Sequence, residues 1–403
     1  MFTFKRRTLC ASLGAIALTI SFGALAQKKY DIGANDTEIK IGNIVPYSGP
    51  VSAYGTIGSS AAAYIKKVNA EGGVNGRKIN FISLDDAYNP SKTVEVTRKL
   101  VEQDEVLGVF LAIGTAHNLA IQKYMNTKKV PQLFVGTGAT QFGNTKENPW
   151  TIGWQPTYLT EGRAFAQHIL QSKPNAKVAV LVQNDDFGKD LLRGLMVGFG
   201  DKDSKMVVSQ QTYETTDPTI DSQIVTLKGS GADTLVIFAT PKFAAMAIKK
   251  TAEIGWQPTR YLTNVSNSVG SVLKPAGVDA AKGVISSSYL RDPTDVATQA
   301  TKEYQDYAAF MKQYYPNGDP ANSLNVLGYS AAQTLVATLK QAGDNLTREN
   351  VMKQAMNLNV KLPMLYPGIV VDSKPGDSYP IDQLQLIQFN GTSYTSFGNV
   401  IGK

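Results

Sequence analysis

The sequence runs to 403 residues, 43% of them hydrophobic and 18% charged, with a formal net charge of +7. That is chain enough for about two domains with sizeable cores. The mild charge, with no basic block, excludes the electrostatic footprint of a nucleic-acid binder, and Lys128-Lys129 and Lys249-Lys250 read as solvated helix ends.

The first 26 residues have the layout of a secretory signal peptide. Lys5, Arg6 and Arg7 form a positive n-region, "LCASLGAIALTISFGALA" an apolar h-region, and Ala24-Leu25-Ala26 an A-x-A cleavage site before Gln27. A membrane anchor would need the same apolar run, and the cleavage site argues against it. Arg6-Arg7 leaves a twin-arginine route beside the general secretory one. Cys10, the single cysteine, precedes the apolar run and leaves with the leader. The mature chain then has no thiol for a disulfide, a nucleophile or a metal site, and its net charge falls to +4. No apolar stretch after Ala26 approaches the roughly 18–20 residues of a membrane helix. The expected location is the periplasm, in solution.

Residues 27–37 read as a polar leader. Strands and helices then alternate. "EIKIGNIV" is a predicted strand, and "GSSAAAYIKKVNAEGG" a helix that ends on a glycine cap. "KINFISLDD" is strand. "NPSKTVEVTRKLVEQD" is helix, capped by Asn89 or Ser91, with Pro90 in its first turn. "VLGVFLAI", a helix over "AHNLAIQKYMNTKK", and the strand "PQLFVG" complete the series. Such alternation predicts βαβ units and a parallel sheet.

The series then restarts. "AKVAVLVQ", "SKMVVSQQTY", "DTLVIFAT" and "TRYLTN" are predicted strands. Helices over "FGKDLLRGLMVGF", "TIDSQIVTLKGSG" and "FAAMAIKKTAEIGW" separate them. This is a repeat of architecture, not a short solenoid period. Two similar doubly wound α/β lobes follow from it. Ligands of open α/β sheets sit beyond the carboxyl ends of strands, so facing lobes would hold one in a cleft. After residue 284 come three more helices, then two extended runs around a Gly/Asp/Pro loop.

Enzyme signatures are missing. There is no G-x-S-x-G elbow, Walker loop, G-x-G-x-x-G or H-E-x-x-H. His117 and His168 are the only histidines, and nothing positions either in a triad. Asp85-Asp86 and Asp185-Asp186 read as strand-end turns and caps, not a calcium loop. No metal or cofactor is implied. Small polar residues do stand at strand ends, in "AIGTAHN" and "VGTGATQFG". Amides at a helix start attract anions. Gly114, Thr115 and Ala116 would receive a carboxylate, and Thr137, Gly138 and Thr140 would add a hydroxyl and a carbonyl.

The stretch from "IKIGNIVPYSGPVSAYG" to "LVEQDEV" resembles the N-terminal lobe of type I periplasmic binding proteins. The branch is the leucine/isoleucine/valine-binding kind, which serves branched-chain amino-acid ABC transporters. The S-G-P…Y-G opening, "NAEGGVNGRKI", the "DDAYNP" turn and "NDDFGKDL" carry the resemblance, which spans about residues 37 to 403. It implies lobe 1 over 38–155 and 285–365, lobe 2 over 156–284 and 366–403, and a three-segment hinge. It also implies closure around a small ligand by a monomer that docks on a membrane permease, with no catalysis.

The family's binding positions then correspond to Tyr54, to Gly114-Thr115-Ala116 for the ligand carboxylate, to Gly138 and Thr140, to Phe187, and to Thr240 through Phe243. The acidic residue that pairs an amino acid's ammonium in the family is missing, because Val265 and Ser266 stand in the matching "TNVSNSVG". Tyr88 replaces a cysteine of the family's disulfide. An ammonium buried without a charged partner is costly. Either the ligand is a carboxylate without an α-amino group, or another acid such as Glu161 or Asp186 swings in. Tyr47, Tyr54, Trp154, Tyr158 and Phe187 would suit an aromatic ring. The function expected first is the transport receptor of an ABC importer for a small hydrophobic amino acid of the branched-chain type or a related carboxylate. The alternative is a receptor for aromatic or aliphatic acids lacking an α-amino group, and the alternative of another class is a sensory module for a signalling partner.

Overall fold

A computed structural model of the chain describes residues 1–2 and 28–402. The expected cleavage site after Ala26, and the leader from residue 3, lie outside these residues.

Five parallel strands form the first sheet: β1 (Glu38–Val45), β2 (Lys78–Asp85), β3 (Gly108–Phe110), β4 (Gln132–Val135) and β5 (Thr151–Gly153). Their order is β2-β1-β3-β4-β5. Strands such as β4, QLFV, are buried on both faces because helices cover both. These helices include α1 (Gly55–Ala70), α2 (Pro90–Arg98) and α3 (Thr115–Lys128). Asn89 caps α2 by accepting from the amides of Ser91 and Lys92, with Pro90 at the first helical position. Past the end of α1, Gly73 takes φ +82°, and a β-carbon there would stand 2.0 Å from the Arg77 carbonyl.

The chain then builds a second sheet. In order come α4 (Tyr158–Ser172), β6 (Val178–Gln183), α5 (Asp186–Phe199) and β7 (Val207–Tyr213). After them come α6 (Asp221–Gly229), β8 (Thr234–Phe238), α7 (Pro241–Glu253), β9 (Thr259–Leu262) and β10 (Ile285–Ser288). It returns to the first lobe with α8 (Lys302–Tyr314), α9 (Ser323–Ala342) and α10 (Arg348–Ala355). Finally β11 (Leu384–Phe389) and β12 (Tyr394–Ile401) extend the second sheet. Its order is β7-β6-β8-β9-β10-β11-β12, parallel through β10 and antiparallel beyond. The first five strands therefore repeat the strand order of the first sheet.

Sheet hydrogen bonds move two expected boundaries. β10, placed by sequence at the start of a lobe 1 segment, pairs with β9 and β11 in the second sheet. Ile369, Val371 and Ile381, assigned to lobe 2, pack in the first lobe's core with Ile57 and Leu335. The chain thus crosses after β5, after β10 and just before β11. The polar leader is not loose. Lys29 and Tyr30 pair in parallel with Asn345 and Leu346. Arg77, only 2% exposed, donates to the Tyr30 hydroxyl, the Asp344 carboxylate and the Asn35 carbonyl. The C-terminal strand β12 has no counterpart among the predicted elements. Its residues alternate weakly, and its partner β11 is what makes it a strand.

Candidate ligand-binding site

The carboxyl ends of β1, β3 and β4 lead into loops at residues 46–54, 111–114 and 136–140. These face the ends of β6, β8 and β9 across a cleft. A cavity with about 880 Å³ of empty space, its mouth included, lies between the lobes.

The first lobe lines it with Tyr54, Tyr88, Gly114 and Thr115, and the second with Tyr158, Phe187, Thr240 and Val265. Gly114 takes φ +106° ahead of α3, and a β-carbon on it would lie 2.3 Å from the His117 Nδ1. Only glycine fits there. The first-turn amides of α3 have no acceptor within the helix, and they open beside the Thr115 hydroxyl. That hydroxyl is buried and shares a 2.7 Å hydrogen bond with the Thr137 hydroxyl. The two lobes touch here: the Tyr54 hydroxyl donates to the Val265 carbonyl at 3.1 Å. Phe187 and Tyr158 pack edge to face, 5.2 Å between centroids. The Thr240 amide donates to the Tyr213 hydroxyl at 2.9 Å and its hydroxyl to the Gln183 side-chain oxygen at 3.0 Å.

Two ionisable side chains of opposite sign, Arg291 and Asp292, stand among otherwise uncharged lining residues. Burial pushes the Tyr54, Tyr88 and Tyr158 hydroxyls up, so they stay protonated. Burial also lowers His117, which stacks on Tyr88 at 4.1 Å, and keeps it neutral. Glu161 does not swing in. It is fully buried, and it accepts from the Thr263 hydroxyl, the Asn264 amide and the Ser287 hydroxyl at 2.7–2.8 Å. Asp186 opens α5 and does not line the cavity. Asp292 does line it, but its oxygens accept from Thr294 and from the Tyr394 amide, and burial raises its pKa.

Seven sequence-based assignments stand off the cavity wall. Ala116 is half-buried one residue past it. Gly138 packs under Tyr158 and gives its carbonyl to the Tyr158 amide at 2.8 Å. Thr140 is held by Asp190 of α5 through both its amide and its hydroxyl. Ser266 donates to the Ala239 carbonyl at 2.6 Å. Tyr47 turns outward, 38% exposed, with its hydroxyl on Ser83 at 2.6 Å. Trp154 is core, its indole donating to Thr334 at 2.9 Å. Phe243 is core too, 4.3 Å from the Tyr213 ring. For Thr140, Ser266, Tyr47, Trp154 and Phe243 a neighbour from a distant segment claims the side chain.

The fold is matched by known proteins. The model of a family described as periplasmic binding protein matches residues 38–392. The chain belongs to that family. A "Leu/Ile/Val-binding protein homolog 1" of Brucella abortus (strain 2308) is 26% identical over 362 residues, 85% of this chain and 86% of its own. A branched-chain amino acid ABC transporter protein from Thermus thermophilus with bound valine superposes with a TM-score of 0.81, at 18% identity, covering 92% of this chain and 98% of that one. An R. palustris solute-binding protein of an ABC transporter in complex with benzoate gives 0.76, at 20% identity, covering 90% and 97%.

In this periplasmic binding protein the sequence alone misses several lining residues, among them Tyr88, Gln155, Asn264 and Tyr289. Gln155 is 3% exposed and its Nε2 has no hydrogen-bond partner. It sits at the first crossing, where neither strand periodicity nor a cap marks it. Tyr88, at φ +56° beside Asp86, carried a signal: a bulky residue in a left-handed turn needs a reason.

Proposed function

We propose that the chain is the periplasmic receptor of an ABC importer for a carboxylic acid with an apolar or aromatic body and no α-ammonium. It acts as a monomer, closes on the acid between its lobes, and docks on a membrane permease. One observation supports this most. The loop after β9 brings Asn264 and Val265 to the cavity, with no carboxylate free to meet an ammonium, while Thr115 and the start of α3 stand ready for an anion. Tyr54, Tyr88, Tyr158 and Phe187 surround the body with rings. Binding shifts the population to the closed form, because only that form offers contacts from both lobes.

Mass spectrometry of the acid carried through native purification, followed by calorimetry with benzoate, 4-hydroxycinnamate, leucine and valine, tests it. Binding of the aromatic acids without leucine or valine is expected. Tight leucine binding with no response to the aromatic acids would overturn it. That outcome would favour a second reading, a receptor for branched-chain amino acids, which the name of the Brucella relative and the valine in the Thermus structure support.

A further inference from the structure

The cavity reaches well past the residues around Thr115. On the side of the crossings its wall is apolar: Ile57, Leu324 and Leu327 from the first lobe, Val269 and Ile387 from the second, and Leu290 between them. A depression on the outer surface is lined by Ser288, Leu290, Arg291, Asp292, Ile387 and Tyr394, and all six also line the interlobe cavity. Beyond them the depression is bounded by Tyr366 and Pro367. The two spaces therefore share a wall beside the second crossing, where the Arg291 amide donates to the Met364 carbonyl at 3.0 Å.

Four polar side chains stand at this far end: the Ser288 hydroxyl donates to the Leu290 carbonyl, and Asp292 accepts from Thr294 and the Tyr394 amide, which leaves Tyr394 and Arg291. Tyr394 is 5% exposed, and its hydroxyl has no hydrogen-bond partner. Arg291 gives its Nε to the Pro363 carbonyl at 3.2 Å, and its side chain forms no ion pair among the described residues. A buried hydroxyl without a partner is uncommon and costly. Here Tyr394 lines the same cavity as Leu290 and Ile387.

Taking the carboxylate reading above as its basis, we infer that the ligand is an elongated acid. Its apolar tail runs along Leu290, Leu324, Leu327 and Ile387 and ends in an oxygen function received by the Tyr394 hydroxyl and Arg291. A short acid would leave the arm empty and Tyr394 unpaired. A chain with a terminal hydroxyl group fills the one and satisfies the other.

Calorimetry on the mature protein with butanoate, hexanoate, octanoate and ω-hydroxyoctanoate tests this, with benzoate as the short reference. Affinity is expected to tighten about fourfold for each methylene buried. The terminal hydroxyl should add about tenfold. Tyr394→Phe should erase the difference between ω-hydroxyoctanoate and octanoate, and Leu327→Trp should erase the gain with length. Melting curves of both variants confirm that they fold. If benzoate or butanoate binds but affinity stays flat or falls with length, the arm is not a ligand site and the inference fails alone. If no acid of any length binds while leucine does, the carboxylate reading fails and takes this inference with it.

Discussion

The Tyr54 hydroxyl donates to the Val265 carbonyl across 3.1 Å, joining residues 211 positions apart and on opposite lobes. Tyr54 is therefore more than a wall of the cavity: its ring lines the space and its hydroxyl bridges it. Tyr54→Phe keeps the ring and removes the bridge. Ligand affinity is expected to fall by about 0.5–1.5 kcal/mol, the net worth of one such bond. Small-angle scattering should show a larger open fraction without ligand, and calorimetry should show the loss. Unchanged values in both would mean that the bond contributes nothing to closure.

Asn322 makes a second bridge. Its side chain accepts from the Ser268 hydroxyl and donates to the Ser271 hydroxyl, each at 2.9 Å, while also capping α9 through the Leu324 amide. Asn322→Asp keeps the cap and the bond from Ser268 but cannot donate to Ser271. Ligand release, followed by stopped flow, should quicken several-fold, for about 0.5–1.5 kcal/mol, with little change in melting temperature. A slower or equal release would remove Asn322 from the closing contacts.

Thr115→Ala removes the hydroxyl from the start of α3 and leaves Thr137 without its 2.7 Å partner. Binding of a carboxylate should weaken by about 1–3 kcal/mol. The neutral amide of the same acid should lose less, since the anion is what the helix start attracts. Equal losses for acid and amide would show a packing effect instead.

The pH response follows from His117. Burial lowers its pKa below the ordinary 6.5. As pH falls through about 6.5, the unfolded chain takes up a proton that the folded one refuses. Stability should therefore decline from about neutral pH downward, until the folded pKa is passed. His117→Phe should flatten this slope in melting curves taken from pH 8 to 5. His168 is lowered too, by partial burial, so a residual slope is expected from it. A separate loss should appear between pH 3.8 and about 2. Burial raises the Asp85 carboxyl, but Ser48, the Ala87 amide and Lys92 hold it at about 2. Protonation there frees the loop that carries Tyr47 and Ser48.

Much of the site was legible because local rules place it. Parallel strands end where ligands sit, and a glycine before a threonine at a helix start marks an anion site whichever way the lobes meet. Gly114 and Thr115 follow on that ground, Tyr54, Phe187, Thr240 and Val265 only from the resemblance to the family, and all six line the cavity. Thr140, which the same rule selects, and Ser266, which the resemblance implies, stand off it. Their hydroxyls are claimed by Asp190 and by the Ala239 carbonyl, partners 50 and 27 residues away. A sequence shows that a hydroxyl is present at a strand end, not which neighbour has already bonded it.

The sequence by itself determined the two α/β series, their strand types and the helix caps, since each rests on periodicity or on residues adjacent along the chain. The tertiary structure alone decided which sheet receives β10, that β12 is a strand, and that Glu161 is sealed inside a network instead of facing the cleft. It also joined Gln155, Tyr289 and Tyr394 to one cavity. Those outcomes depend on hydrogen bonds and packing between distant segments, and nothing in the local pattern of a residue specifies its partner across the fold.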